Sequence, residues 1–277
     1  MPGLSRAAFV ASSAGACTIL ARAALGHVPG WAEVGALFGW FALSTTGVFF
    51  PGLQMYGPIV SRGPRGHAQV ALTFDDGPHP ETTRAVLAAL APTAHRATFF
   101  VLGEKARRHP DVVREIHEAG HTLGVHGDFH DRLHSFRAPG RVRREIEAAR
   151  ASVERAAGVR PRLFRPPLGH TTPLTVSGAR RAGMAIVGWS ARAYDGLRSS
   201  RPEDVIQRLR PGLTDGAIVL LHDAAERDDF TPASIAALPN LLRLLDERGL
   251  TSVGLDTWFA KSEAPGARAL RPARPTP

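Results

Sequence analysis

The chain has 277 residues, of which 44% are apolar and 21% charged, and a formal net charge of +9. That balance supplies a globular core and excludes wholesale disorder, and the lone cysteine, Cys17, excludes an intrachain disulfide framework and a cysteine-based zinc site. The arginines are spread through helices and tail with no aromatic-interleaved basic block, so nucleic acid is not an expected partner; anionic lipid or an acidic wall polymer suits the charge better.

The first stretch differs from everything after it. Between Arg6 and Arg22 lie fifteen uncharged residues, AAFVASSAGACTILA. This run is short for a membrane span and reads equally as the core of a signal peptide, with ARA near a possible cut site. Cys17 follows Ala14 by three rather than a larger aliphatic residue, so lipidation is not expected. From Val34 to Ser61 no charge occurs at all, a length that exceeds a helical span, with Trp31 and Trp40 placed for an interface. Residues 1–65 are therefore expected to form a hydrophobic membrane region of one or two helices that meets membrane lipid.

After Gly66 short apolar runs alternate with amphipathic stretches. The runs are 70–74, 97–103, 121–127, 163–167, 184–190, 217–222 and 251–255. Between them helices are expected at Glu81–Leu90, Pro110–Ala119, Gly140–Ala157, Leu174–Ala182, Pro202–Leu209 and Pro232–Arg248. The stretch HPDVVREIHEAG shows the pattern: Pro110 opens the helix, Val112, Val113, Ile116 and Ala119 make its apolar stripe, and Gly120 ends it. Seven strands alternating with helices predict an α/β fold with a parallel sheet covered on both faces. Over residues 66–260 a distorted seven-stranded β/α (TIM-like) barrel is the economical arrangement, with an open doubly wound sheet as the alternative. The Pro/Ala/Arg-rich segment 261–277 is expected to be disordered.

Chemistry in such folds gathers at the carboxyl ends of the strands. Those ends deliver Asp75 and Asp76 in TFDDGP, His126 and His130 in HGDFH, Arg165 in RPPLG, Asp195 in the loop after the fifth strand, and His222 in LLHD. Side chains alternate along a strand, so two neighbouring aspartates share a site only where the strand ends and turns. A paired like charge asks for a cation or an arginine; capping of the next helix by a DG turn is the plain alternative. The spacing His-x-x-x-His occurs as His117–His121, His126–His130 and His130–His134. The first pair joins a helix to the far end of a strand and is not expected to converge. The second starts at a strand's carboxyl end, and the third lies in a loop.

Taken in order, TFDDGP, HGDFH, RPPLG and LLH resemble the signature motifs of the polysaccharide deacetylase family, the NodB homology domain of family 4 carbohydrate esterases. The similarity covers about residues 68–256, and the distorted β/α barrel of that family agrees with the strand count. The resemblance implies that Asp75 is the catalytic base and Asp76 a metal ligand, with His126 and His130 completing the metal triad. It further implies that Arg165 orients Asp75, that His222 is the catalytic acid, and that Asp195 holds and tunes it. Leu168 would lend a backbone N–H to the oxyanion, and Leu220 would line the acetyl pocket. The ligand set points to one divalent metal, zinc first, with cobalt, manganese or iron compatible with the same mixed donors.

Three positions depart from the family pattern. Gly127 stands where Ser or Thr commonly follows the first ligand His, which predicts a looser ligand loop. Leu168 replaces a common Tyr, so a ring contact to substrate is lost while the backbone donor remains. SARAYDG has Arg192 and Gly196 where the pattern has an Asp and a Trp. The expected activity is removal of N-acetyl groups from an amino-sugar glycan such as chitin oligomers or peptidoglycan. The alternatives are O-acetyl ester hydrolysis by the same residues and a membrane-anchored glycan-binding protein without turnover. The expected location is the cell membrane. The barrel is expected on the extracytoplasmic side, because the first run is short for a span and can lie at the interface; a cytoplasmic barrel follows if that run spans or is cleaved.

Overall fold

The structure, a computed structural model, describes residues 2–262. The tail expected to be disordered falls outside these residues from position 263 on, while its first two positions belong to the last helix.

Two helices open the chain, α1 (Pro2–Ala24) and α2 (Trp31–Phe49). They form an antiparallel hairpin, tied midway by Trp40 Nε1 donating to Ser13 Oγ at 3.0 Å and at its tip by Arg22 and His27 on Glu33. Both are long and apolar enough to cross a membrane. Almost nothing covers them: Phe38 and Phe41 are 73% and 64% exposed, which a helix buried in a soluble core would not be. The first apolar run is thus part of a 23-residue helix rather than a fifteen-residue segment. The second run is shorter as helix than its uncharged length suggests. Pro51 and Gly52 close α2, and the residues after them fold back, Met55 buried against Gly47 of α2 and Ile59 buried in the barrel's core.

The barrel strands are β1 (Gln69–Asp75), β2 (Ala97–Leu102), β3 (Thr122–Gly127), β4 (Leu163–Phe164), β5 (Ala185–Ile186), β6 (Ala191–Arg192), β7 (Ile218–His222) and β8 (Thr251–Ser252). All pairings among them are parallel, in the order β5-β4-β3-β2-β1-β7-β6, with β8 beside the start of β1. The expected fifth strand, 184–190, divides in two. Its first part pairs with β4 and its continuation with β7, and Val60 and Arg62 bridge the opening between them by pairing with Val187 and Ala217. The barrel therefore recruits residues that precede the expected boundary at Gly66.

The helices around it are α3 (Thr82–Leu90), α4 (Gly103–Arg108), α5 (Pro110–Glu118), α6 (Pro139–Ala157), α7 (Pro173–Arg181), α8 (Pro202–Leu209), α9 (Ala233–Glu247) and α10 (Leu255–Ser262). Proline occupies an opening position of α5, α6, α7 and α8, where its missing N–H costs nothing. Gly158, at φ 71, ends α6. Alternation along β1 sends Val70, Leu72 and Phe74 to the helices and Ala71, Thr73 and Asp75 to the barrel interior.

Candidate metal centre and active site

Asp75 ends β1 on the inner face, and Asp76 follows it with φ 72. That left-handed turn breaks the alternation, so the second carboxylate returns to the site the first one faces. The two then take different partners. Asp75 Oδ1 accepts from Arg165 Nη1 at 2.7 Å, and the same nitrogen donates to Thr73 Oγ1 at 2.7 Å. The Arg165 guanidinium is wholly buried, donates to Gly188 O at 2.9 Å, and lies 4.2 Å from the centre of the Phe100 ring. Burial pushes the Asp75 carboxyl above its ordinary value, and Asp76 adds to this, against the pull of Arg165 and His222.

Asp76 Oδ1 accepts no hydrogen bond although it is buried. It lies 3.4 Å from His126 Nε2 and 3.6 Å from His130 Nε2. A buried carboxylate oxygen facing two imidazole nitrogens is a cation cradle. The ligand atoms of all three residues lie within 4.8 Å of one another, and the Asp76 separations are close to the roughly 3.4 Å between neighbours around a tetrahedral ion with bonds near 2.1 Å. His126 Nδ1–H donates to the Arg165 carbonyl at 2.9 Å, which leaves Nε2 with a free lone pair toward Asp76. Burial, then His130 and the nearby cations, hold His126 well below its usual range, so the neutral ligand form prevails. The donor set fits a divalent metal.

Across the site Asp195, fully buried, accepts from the His222 backbone N–H at 2.7 Å and meets its Nδ1 at 3.2 Å. Burial disfavours the imidazolium, but the Asp195 carboxylate outweighs it with help from Asp76 and Asp75, and His222 is pushed up to about 10. Gly196 packs on this ring: a Cβ there would come within 3.0 Å of His222 Nδ1, so a side chain at that place would require the ring to give way. Leu168 sits at the tip of the turn Pro167–Gly169 with φ 58 and is 45% exposed. Leu220 of β7 pairs in register with Thr73 and so shares its inward face.

The other His-x-x-x-His pairs do not converge. His121 is buried at the opposite end of β3, where its Nδ1 accepts from the Ala97 N–H, and His134 binds Glu145 at 3.1 Å. The expected looseness after His126 is corrected by the backbone. Gly127 adopts φ 112, where a Cβ would lie 3.1 Å from the Phe129 carbonyl, so glycine is what lets the loop close tightly.

Four supporting residues were given no role by the sequence reading, although Thr73, Asp128 and Asp223 lie within TFDDGP, HGDFH and LLHD. Thr73 shares Arg165 with Asp75. Asp128 takes a forked contact from Arg107, at 2.6 and 3.3 Å, which fastens the ligand loop to α4. Glu226 Oε2 stands 3.4 Å from His130 Nδ1 and is held by Arg132 at 2.9 Å. Asp223 accepts from Thr83 Oγ1 and lies against Gly77, where a Cβ would collide with its carboxylate; burial pushes its carboxyl up to about 7. Period-2 alternation flags Thr73; the other three depend on contacts between distant segments.

A proton-accepting carboxylate kept apart from a cation cradle, opposite a charged imidazole, is equipment for adding water to a carbonyl and protonating what leaves. The class is a metal-assisted hydrolase on a β/α barrel. The polysaccharide deacetylase family profile matches residues 62–187. The chain is 30% identical to a peptidoglycan-N-acetylglucosamine deacetylase of Bacillus cereus over 73% of its own length and 72% of that protein's. It is 33% identical to a chitooligosaccharide deacetylase of Sinorhizobium fredii, covering 69% of this chain and 91% of that one. Among solved structures, a family 4 acetyl xylan esterase from Clostridium thermocellum in complex with a cobalt ion superposes with a TM-score of 0.65 at 30% identity, covering 71% of this chain and 93% of that one. The chain belongs to the polysaccharide deacetylase family, hydrolases that work with a divalent metal.

Proposed function

We propose that the protein is a membrane-anchored, zinc-dependent deacetylase that removes N-acetyl groups from amino-sugar glycans of the chitin-oligomer or peptidoglycan kind. The observation that carries this is the division at Asp75–Asp76, one carboxylate committed to a buried arginine and its neighbour orphaned before two imidazoles. The activities named for the similar Bacillus and Sinorhizobium proteins supply the substrate class.

Asp76, His126 and His130 hold the ion, which when bound polarises the acetyl carbonyl and lowers the pKa of water. Asp75, raised by burial and kept in place by Arg165, takes the proton from the attacking water. The Leu168 N–H donates to the developing oxyanion, and Leu220 walls the acetyl methyl. His222, charged through Asp195, gives its proton to the departing nitrogen. The C–N bond breaks, the water oxygen leaves in acetate, and the sugar keeps a free amine. The exposed apolar hairpin is the lipid anchor.

Acetate release from chitin oligomers and peptidoglycan, with and without chelator, tests the reading, with acetylated xylan as the ester arm. Release from the glucosamine glycans that stops with chelator and returns with zinc is the expected result. Release from xylan alone makes the protein an esterase, and none from any glycan with zinc bound makes it a binding protein.

A further inference from the structure

The base of the hairpin is joined to the mouth of the barrel. Phe49, the last residue of α2, meets the His170 ring edge-on with centroids 4.8 Å apart, and Thr171 donates its N–H to the Val48 carbonyl at 3.5 Å. Just past the base, a Cβ on Gly57 would lie 2.5 Å from a methyl of Val176 in α7. His170 follows Leu168 by two residues, at most about 7 Å of chain. The same loop is tied to the one that carries His130. Ser135 donates to the His170 carbonyl at 2.9 Å, and Thr172 Oγ1 donates to the Ser135 carbonyl at 2.7 Å. Hairpin base, oxyanion turn and ligand loop are one connected unit.

That unit presents apolar side chains to the outside. Leu133 is 56% exposed, Phe136 71%, Leu168 45% and Leu174 39%, and Phe49 and Phe50 at the hairpin base are 56% and 62% exposed. The rim therefore adjoins the base of the two exposed apolar helices that the anchor reading places in lipid. Rings and methyls at that depth lose contact with water by entering the headgroup and acyl boundary. They offer no hydrogen bond to sugar hydroxyls, which a long glycan lying across the mouth would ask for.

We propose that Leu133, Phe136, Leu168 and Leu174 seat the barrel mouth in the bilayer surface, and that the substrate is an N-acetylated sugar carried on a membrane lipid. The proposal rests on the deacetylase reading above and narrows it. The acetyl group is cleaved as before, with water supplying the oxygen of acetate and the amine staying on the lipid-borne sugar. Anchor and rim together hold the site at the layer where such a sugar sits, and a detached polymer reaches it only from the side.

The full chain, loaded with zinc in phosphatidylcholine–phosphatidylglycerol vesicles, allows both halves to be tested. Leu133→Cys in a Cys17→Ser background is labelled with an environment-sensitive fluorophore. Quenching by brominated lipid and protection from aqueous iodide are expected; the reverse pattern overturns the seating. For the substrate, kcat/KM is compared between N-acetylglucosamine on a polyprenyl diphosphate and a soluble chitin tetramer. At least a tenfold preference for the lipid-borne sugar is expected, with Phe136→Glu reducing that ratio at least threefold. Equal rates on both overturn the substrate assignment and leave the deacetylase reading standing. Acetate from neither overturns the deacetylase reading and the substrate assignment together, while the quenching still decides the seating.

Discussion

Asp75 and Asp76 stand next to each other and answer to different partners, so their variants should fail differently. Asp75→Asn removes the proton acceptor but leaves the cradle, and turnover should fall by about 10²–10⁴ with metal content unchanged. Asp76→Ala takes away a ligand and should empty the site; metal analysis beside acetate release separates the two, and equal loss of metal in both would refute the division. His222 has a pH signature. Its folded value of about 10 lies above the ordinary 6.5, so the stabilisation by Asp195 is complete below about pH 6.5 and is lost as pH rises through about 10. Asp195→Asn removes the carboxylate that raises it, and the alkaline limb of kcat/KM should move to lower pH. An unmoved limb would assign that limb to another group.

At the scale of elements, the loops that end the strands are less forgiving than their sequences suggest. Gly127 closes β3 at φ 112, a backbone that side chains rarely adopt. Gly127→Ser, toward the residue commonly found there in the family, should lower stability by about 1–3 kcal/mol through backbone strain, read as a drop in Tm with weaker metal binding. A raised Tm would mean that the loop relaxes to admit Ser. Helix limits were legible to within a residue or two for the six helices with clear apolar stripes, such as α5 and α8. Three cases were not, among them α10, which begins inside the run 251–255 expected as the last strand. α4 has only six residues, too few for a periodic pattern, and the run 184–190 reads as one strand because nothing local records that the chain leaves β4 there and continues at 191–192 against β7.

For the whole molecule, the hairpin bears on which side of a membrane the barrel is expected to occupy. The expectation of an extracytoplasmic barrel depended on the first run being too short to span. If the 23-residue helix that contains it spans beside α2, to which it runs antiparallel, the chain returns to the side of its amino terminus. Arg6, Arg62 and Arg65 lie on that side, whereas Arg22 at the tip is paired with Glu33, and the positive-inside bias then favours the cytoplasm. Phosphatase fused after Pro277 should be inactive and a cytoplasm-only fluorophore bright. The opposite result would restore a single crossing with the barrel outside, where wall glycan is found.

The sequence by itself determined the alternation of strands and helices, the uncharged amino-terminal runs and the ordered motifs that place Asp75, Asp76, His126, His130, Arg165 and His222 at strand ends. These are properties of periodicity and local spacing, which a chain carries before it folds. Of the three pairs that share one spacing, the motifs singled out His126–His130, and the tertiary structure brought that pair to Asp76. It alone showed the left-handed turn that brings Asp76 back beside Asp75, and Glu226 beside His130 although the two are 96 positions apart. It also brought Val60 into the barrel wall and Phe49 against His170. Such contacts join segments far apart in the chain, and no local pattern of residue types encodes them.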